Sequence, residues 1–309
     1  MEQKNFVITS HYDNLELDGL MIIPENPKAI IQFSHGMCEH KERYIPFMKY
    51  LSQYNYLCVI HDHRGHGKSI KNNNDLGFFY EGKSEGLVED IELINQYIKK
   101  QYPQLPLYLF GHSMGSLAVR AYTKKYDDHI DGLIVCGCPS KNTFTSVGLI
   151  FVNLLAKIKG GNYKSQLIDH FVLGAFDKPF QDEHTPNAWV CSDKKVVQDF
   201  NDSELCGFSF TMNGYQSLLT LVKNVYSEKD WQVANPQLPV YFISGSLDPC
   251  RINDKKFKDA VHTMKNVGYI HVSYRLFNDM RHEILNETNK QIVYEDVLKT
   301  LEGWFNHIK

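Results

Sequence analysis

The sequence lacks the features of a protein that binds polyanions or spans a membrane. Its 309 residues carry 33 lysines and arginines against 36 aspartates and glutamates, for a formal net charge of −3. Because there is no basic excess, we expect no nucleic-acid partner. The first residues are charged and polar, which argues against a signal peptide. The longest apolar segment, residues 147–158, is too short and too interrupted to span a bilayer.

Cysteine is present, but it lacks the spacing of a metal or redox motif. The seven cysteines are odd in number, and no Cys-x-x-Cys pair occurs among them. A core of the size that this chain can form needs no disulfide for stability. We therefore expect reduced thiols in a cytoplasmic protein.

Strand and helix patterns alternate along most of the chain. Four short aliphatic and β-branched runs, at 30–33, 57–60, 107–110 and 132–136, predict strands buried on both faces of a parallel sheet, and the helical patterns between strands predict covering helices. The predicted strands are residues 5–10, 17–23, 30–33, 57–60, 107–110, 132–136, 239–243 and 271–277. The predicted helices include residues 85–100, 116–125 and 290–307.

The pattern changes between residues 140 and 236, where helical and irregular sequence replaces the strands. We therefore predict one α/β core domain, formed by residues 1–139 and 237–309, with a helical insertion at 140–236. An insertion of this length typically forms a lid or cap over a site. Its helix at 147–158 has a wide apolar face. Packing against the main domain, lining of an acyl channel or transient contact with a lipid surface would each explain that face.

The sequence Gly-His-Ser-Met-Gly at 111–115 lies between a predicted strand and a predicted helix. In that context Gly-x-Ser-x-Gly predicts a nucleophile elbow, a strained turn that exposes the hydroxyl of Ser113 at the end of the strand. The helix that follows directs backbone N–H groups and the positive end of its dipole toward the same place. We therefore predict that Ser113 is a catalytic nucleophile.

A serine nucleophile needs a histidine base and a carboxylate that fixes the histidine tautomer. In folds that carry a nucleophile elbow, the carboxylate and then the histidine follow the serine along the chain. His282 lies in the loop after the last predicted strand, and Asp248 lies just after the strand before it. These positions predict the catalytic triad Ser113, Asp248 and His282.

The developing negative charge in acyl transfer needs two backbone N–H donors. One is expected from Met114, the residue after the nucleophile. The other is expected from the loop after the third strand, where Met37 is the predicted donor. The two methionine side chains carry no chemistry in this interpretation.

Three histidines and an aspartate lie within residues 61–66, a density that suggests a zinc site at first glance. The same loop contains two glycines, at 65 and 67, and a loop of this kind can equally be a rigid connection. We expect its histidines to bond the backbone and support the site from behind.

Together these motifs resemble the monoglyceride lipase and lysophospholipase branch of the α/β-hydrolases. The matching segments are 35–40 with Arg43 and Tyr44, then 62–69, 111–115, 245–248 and 281–283. The resemblance implies an α/β-hydrolase fold, an eight-stranded and mostly parallel sheet flanked by helices. It also implies that the second strand is antiparallel and that a helical cap follows the sixth strand.

The chain departs from the animal monoglyceride lipases at two positions. Leu285 stands where those enzymes carry a second histidine, and Cys250 follows the aspartate by two residues rather than three. The stretch 281–287 resembles the bacterial lysophospholipase-type members instead.

The expected function is that of a serine carboxylic ester hydrolase acting through an acyl-enzyme on a monoacylglycerol, lysophospholipid or similar single-chain ester. No metal and no organic cofactor is implied. A serine aminopeptidase or thioesterase is the alternative on the same triad, and Asp182, Glu183 and Glu204 are cap acids that could hold an ammonium group. A non-catalytic binding module is a third hypothesis, which the presence of all three triad residues disfavours.

Overall fold

The computed structural model describes residues 1–142 and 145–308. Within them, eight strands form a single sheet in the order β1-β2-β4-β3-β5-β6-β7-β8. Strand β2 pairs antiparallel with β1 and with β4, and every other pairing is parallel. The predicted fold class, including the antiparallel second strand, is confirmed. The strands are β1 (Glu2–Thr9), β2 (Glu16–Ile23), β3 (Ala29–Ser34), β4 (Tyr56–His61), β5 (Leu107–His112), β6 (Gly132–Cys136), β7 (Val240–Gly245) and β8 (Val272–Phe277).

Strands β3 to β7 are buried along their whole length because helices cover both faces of the sheet. Alternate strand residues pack against α2, α3, α7 and α8 on one face and against α1 and α9 on the other. The helices are α1 (Ile45–Ser52), α2 (Lys83–Gln101), α3 (Met114–Tyr126), α4 (Thr145–Lys159), α5 (Gln166–Leu173), α6 (Lys194–Asp202), α7 (Met212–Val225), α8 (Asp254–Val267) and α9 (Lys290–Ile308).

Helices α4 to α7 lie between β6 and β7 in the chain, inside the segment expected to form the cap. Helix α4 contains the predicted apolar helix at 147–158, and only Gly148 and Val152 of α4 are fully buried. Helix α7 packs on α2, α3 and α4 and so connects the insertion to the core. The expected domain ranges include residues 143, 144 and 309, which lie outside the described residues.

None of the helices in the described part of the chain combines the length and apolar character needed to cross a bilayer.

Candidate active site

Ser113 occupies a strained turn between β5 and α3. Its backbone has φ 53° and ψ −119°, a conformation that a residue with a Cβ rarely adopts. The N–H of Ser113 donates to the carbonyl oxygen of Cys136 on β6 over 3.0 Å, which helps to hold the turn in place. The strain therefore coincides with the residue predicted as the nucleophile.

The two glycines of the motif let the elbow approach its neighbours closely. A Cβ on Gly111 would lie 2.5 Å from the carbonyl oxygen of Gly115. A Cβ on Gly115 would lie 2.0 Å from the carbonyl oxygen of Ser34, at the end of β3. Both distances are far below van der Waals contact, so neither position accepts a side chain without movement of the backbone.

Asp248 and His282 form a buried pair at the carboxyl ends of β7 and β8. The Nδ1 atom of His282 lies 3.0 Å from Oδ1 of Asp248. The carboxylate also accepts hydrogen bonds from the Ser244 hydroxyl (2.8 Å) and the Cys250 backbone N–H (2.9 Å). This arrangement places the proton of neutral His282 on Nδ1 and leaves Nε2 as the basic nitrogen.

The surroundings of Asp248 keep its carboxyl ionised. Burial alone would raise its pKa, but the positive charge that His282 can carry and the three hydrogen bonds outweigh that effect. The pKa of Asp248 therefore lies below its ordinary value. An ionised carboxylate at this position stabilises the imidazolium that His282 becomes when it accepts a proton.

Ser113 and His282 line one cavity of about 250 Å³ between the ends of the strands and the insertion. Met37 and Met114, the expected oxyanion donors, line it as well. The structure thus brings the predicted nucleophile, base and both expected donors to one cavity, with Asp248 directly behind the base.

The rest of the cavity wall is mostly apolar, and the insertion supplies much of it. Trp189 contacts the His282 ring on one side, with ring centroids 4.9 Å apart, and His112 contacts it with centroids 4.7 Å apart. The main apolar side chains from the insertion are Phe171, Val172, Leu173, Phe176, Phe208, Leu218, Leu219 and Val222. No single stretch of sequence indicates this lining, because these side chains come from three separate segments and Trp189 from a fourth.

The loop that carries Met37 is fixed by two buried neutral histidines. Nε2 of His35 accepts the backbone N–H of His63, so its Nδ1 carries the proton and donates to the carbonyl oxygen of Gly36 over 2.8 Å. Nε2 of His66 accepts the backbone N–H of Cys38 over 3.2 Å. Since the peptide bond is trans, fixing the Gly36 carbonyl points the N–H of Met37 the opposite way.

Burial lowers the pKa of all four histidines in this cluster, to about 3 for His61 and His66 and in the same direction for His35 and His63. Neutral rings keep their acceptor nitrogens at physiological pH. Among the described residues, the histidines of 61–66 form no three-membered metal-ligating group. Of the three, only His66 bonds the backbone through its ring, which accepts from the Cys38 N–H and lies 3.1 Å from the Arg64 carbonyl oxygen. The His63 ring lies 2.9 Å from the Ser34 hydroxyl, and the buried His61 ring has no hydrogen-bond partner in the described part of the chain. The expected bonding of the loop backbone is therefore found for His66 and not for His61 or His63.

A buried charge network, which the sequence did not reveal, connects three loops of the site. Oε1 of Glu39 accepts the backbone N–H of Gly36 (2.5 Å) and the Tyr44 hydroxyl (2.9 Å), and it lies 3.2 Å from Nδ1 of His112. The Nε2 atom of His112 lies 3.3 Å from the carbonyl oxygen of His282. Glu39 thereby connects the Met37 loop to the residue before the nucleophile and, through it, to the base.

The contacts within this network shift the pKa of His112 and the pKa of Glu39 in opposite directions. Burial would lower the pKa of His112, but the hydrogen bond and charge of Glu39 raise it above the ordinary value. Burial would likewise raise the pKa of Glu39, but His112 and Arg43 hold it well below its ordinary value. Both ring nitrogens of His112 face acceptor oxygens, on Glu39 and on His282, and this geometry favours an imidazolium that donates from both nitrogens. Arg43 adds a second pair, donating to Glu39 (2.8 Å) and twice to Glu283 (2.5 Å each).

Comparison with known proteins places the chain among hydrolases. The family model described as "Serine aminopeptidase, S33" matches residues 25–289. The chain is 32% identical to the monoglyceride lipase of Mus musculus over 284 residues, 86% of this chain and 82% of that protein. It is 33% identical to the monoglyceride lipase of Rattus norvegicus over 109 residues, a match that spans about a third of that protein (34%).

A solved structure with the same fold is a highly thermostable carboxyl esterase from Bacillus coagulans in complex with glycerol. It superposes with a TM-score of 0.90 at 23% identity, covering 99% of both chains. At this identity the likeness establishes the fold.

Proposed function

The chain belongs to the α/β-hydrolase family described as serine aminopeptidase S33, and we propose that it is a carboxylic ester hydrolase of the monoglyceride lipase type. Its substrates are esters of a single acyl chain, such as monoacylglycerols or lysophospholipids. The observation that supports this best is the apolar cavity, which leads from the insertion to Ser113 and His282.

The proposed reaction begins when Oγ of Ser113 attacks the ester carbonyl carbon and its proton passes to Nε2 of His282. The tetrahedral oxyanion is held by the backbone N–H groups of Met37 and Met114, and Asp248 stabilises the imidazolium. His282 then gives the proton to the leaving alcohol as the ester C–O bond breaks. Water, deprotonated by His282, attacks the acyl-enzyme and releases the acid, which restores Ser113.

In this proposal the two histidines that hold the Met37 loop take no part in the chemical steps. Their role is to position the Met37 N–H before the reaction begins. His35 and His66 fix the peptides on either side of Met37, so that its N–H is already directed when the oxyanion forms. A donor that needs no reorganisation stabilises the transition state more than one that must first turn.

The charges near the cavity favour an ester over an aminopeptidase substrate, which would need a free acid for its ammonium group. The cap acids that could hold an ammonium group are Asp182, Glu183 and Glu204. Glu183 pairs with Arg281, and none of the three lies in the cavity wall. The acids that do line the cavity, Glu39 and Glu283, are both bound to Arg43. A charged amine would therefore lose its hydration without gaining an unpaired carboxylate.

We further propose that the insertion contacts a lipid surface for short periods. Apolar residues of α4 and α5 are exposed, with Ile150 69% and Leu167 67% accessible. Phe171 is 60% exposed and also lines the cavity, so the apolar surface is continuous with the entry to the site.

We also propose a cytoplasmic location. It is supported by the seven cysteines, all of which are free thiols.

The test is a substrate panel with Ser113→Ala as control. The panel holds p-nitrophenyl esters from acetyl to palmitoyl, a 1-monoacylglycerol, a lysophosphatidylcholine and aminoacyl arylamides. We expect hydrolysis of the single-chain esters by the natural chain alone, with medium and long acyl chains preferred over acetyl. Cleavage of the arylamides without ester hydrolysis would replace the proposal with an aminopeptidase. Equal ester hydrolysis by Ser113→Ala would contradict the mechanism.

A further inference from the structure

We propose that Asp248, Cys250 and His282 form a binding site for a borderline or soft divalent cation such as Zn²⁺, and that its occupancy blocks hydrolysis. All three side chains are buried, and each offers one ligand atom within 4.8 Å of the others. Carboxylate oxygen, thiolate sulfur and imidazole nitrogen are the donors that zinc takes in proteins. In the described residues no other group of three such donors is found.

The local backbone explains how the cysteine comes to face the triad. Residues 249–251 form a short 3₁₀ turn after Asp248, and the Cys250 N–H donates back to the carboxylate over 2.9 Å. That turn places the thiol beside the aspartate rather than away from it. Cys250 and His282 both line the cavity, so a hydrated cation has a route to them from solvent.

The distances require only a small closure around the metal. Bonds of about 2.0–2.3 Å to a tetrahedral zinc ion place ligand atoms roughly 3.3–3.7 Å apart. The nitrogen and oxygen of His282 and Asp248 are already 3.0 Å apart. Because all three ligand atoms lie within 4.8 Å of one another, closing to the zinc spacing requires a movement of about 1 Å at most.

Binding would remove the base from the reaction without any change of oxidation state. The Cys250 thiol loses its proton to solvent and binds as the thiolate. The metal takes the place of the proton on Nδ1 of His282, and that proton is returned to Nε2. The thiolate and the carboxylate together balance the two positive charges of the ion. With Nε2 protonated, His282 cannot accept the proton of Ser113.

The inhibition part of this inference rests on the proposed function, but binding itself does not, so the two are measured separately. Co²⁺ serves as a spectroscopic probe, because a cobalt–thiolate bond gives a near-ultraviolet charge-transfer band. We expect the band in the natural chain and in Cys58→Ala, a control for removal of another buried thiol, and not in Cys250→Ala. A band of equal strength in Cys250→Ala, or none in the natural chain, would overturn the site.

The kinetic experiment measures the Zn²⁺ concentration that halves ester hydrolysis, relative to each variant's own rate without metal. We expect Cys250→Ala to need at least 10-fold more Zn²⁺ than Cys58→Ala, and a chelator to restore activity. Equal midpoints in the two variants would overturn the inference.

A measurement on the natural chain keeps the site testable where Cys250→Ala fails to fold. Zn²⁺ should slow alkylation of Cys250 by iodoacetamide, as followed by peptide mass, and leave the other thiols unchanged. Absence of protection would count against the site. A chain that binds Co²⁺ through Cys250 yet hydrolyses no ester would refute the proposed function and leave the metal site standing.

Discussion

Replacing Glu39 with glutamine tests whether the buried charge network holds the reacting loops in place. Glutamine keeps the size of the side chain and one acceptor oxygen for the Gly36 N–H, but it removes the negative charge beside His112 and Arg43. Its amide nitrogen must also face a cation, because both neighbouring groups are donors. The substitution therefore leaves two buried cations sharing the single carboxylate of Glu283.

The expected loss of stability follows from that imbalance. Breaking a buried ion pair by removing one partner costs about 3–5 kcal/mol. At roughly 2.1 cal/mol/K per residue, a chain of 309 residues unfolds with an entropy of about 0.65 kcal/mol/K. Tm should therefore fall by about 5–8 °C. Misplacement of the Met37 N–H should also lower kcat/KM about 100-fold, mainly through kcat.

The loss of stability caused by Glu39→Gln should depend on pH. The raised pKa of His112 means that its stabilisation is complete below the unfolded histidine value of about 6.5 and is lost as pH rises through the folded value. The lowered pKa of Glu39 means that its stabilisation is complete above about 4.3 and is lost as pH falls through the folded value. The Tm difference between the natural chain and Glu39→Gln should be largest between about pH 5 and 6.5 and smaller at alkaline pH.

Thermal unfolding and steady-state kinetics on a soluble ester, measured across pH, would test this reasoning. The matched control is Glu89→Gln, because Glu89 pairs with Lys125 at the surface, where such a pair contributes about 0–1 kcal/mol. Equal Tm and kcat/KM in the two variants would refute a positioning role for Glu39. A Tm difference that grows toward alkaline pH would refute the assigned charge of His112.

Three further substitutions test other parts of the site. Asp248→Asn should lower kcat about 10⁴-fold with little change in KM, as measured by steady-state kinetics, because the base loses its tautomer control. Gly115→Ala should abolish activity and lower Tm, because its Cβ would lie 2.0 Å from a β3 carbonyl oxygen. Gly303→Ala in α9 meets nothing within 4 Å, so it should leave activity unchanged and should not lower Tm. The double variant Ile150→Ser and Leu167→Ser should sediment several-fold less with phospholipid vesicles while hydrolysing p-nitrophenyl acetate normally, and unchanged sedimentation would argue against lipid contact through α4 and α5.

The elbow and the order of the strands could be predicted from the sequence because their signals are local. Two glycines flanking Ser113 by two residues, between a short aliphatic run and a helical pattern, specify the turn without any distant contact. The strand predicted at 271–277 is found at Val272–Phe277, and the helix predicted at 116–125 lies inside α3. The antiparallel direction of the second strand came from the resemblance, and the spatial neighbours of each strand are known only from the structure.

The charge network could not be predicted because its partners are far apart in the chain. Glu39 and His112 are 73 residues apart, and Arg43 and Glu283 are 240 residues apart. Each residue alone looks like an ordinary surface charge, and only the packed loops remove it from water. The signal present was that Glu39 and Arg43 fall within a motif shared with the lipases, which marked the segment but gave no role to either side chain.

The sequence predicts the wide apolar face of the helix at 147–158 but does not predict which way that face points. A continuous apolar surface has no polar edge to indicate which side meets the core. In the structure Val152 is buried, while Val147, Ile150, Leu154 and Ile158 are exposed. That outcome depends on the position of α7, which packs against α4 from 53 residues further along the chain.

The most direct test of an acyl-enzyme on Ser113 is to locate the adduct left by a fluorophosphonate probe. The chain is incubated with the probe, digested and analysed by peptide mass spectrometry, with Ser113→Ala treated in parallel. We predict one adduct per chain, on Ser113, whose formation matches the loss of ester hydrolysis, and no adduct in the variant. An adduct on another residue, or full hydrolytic activity after Ser113 is modified, would contradict the mechanism.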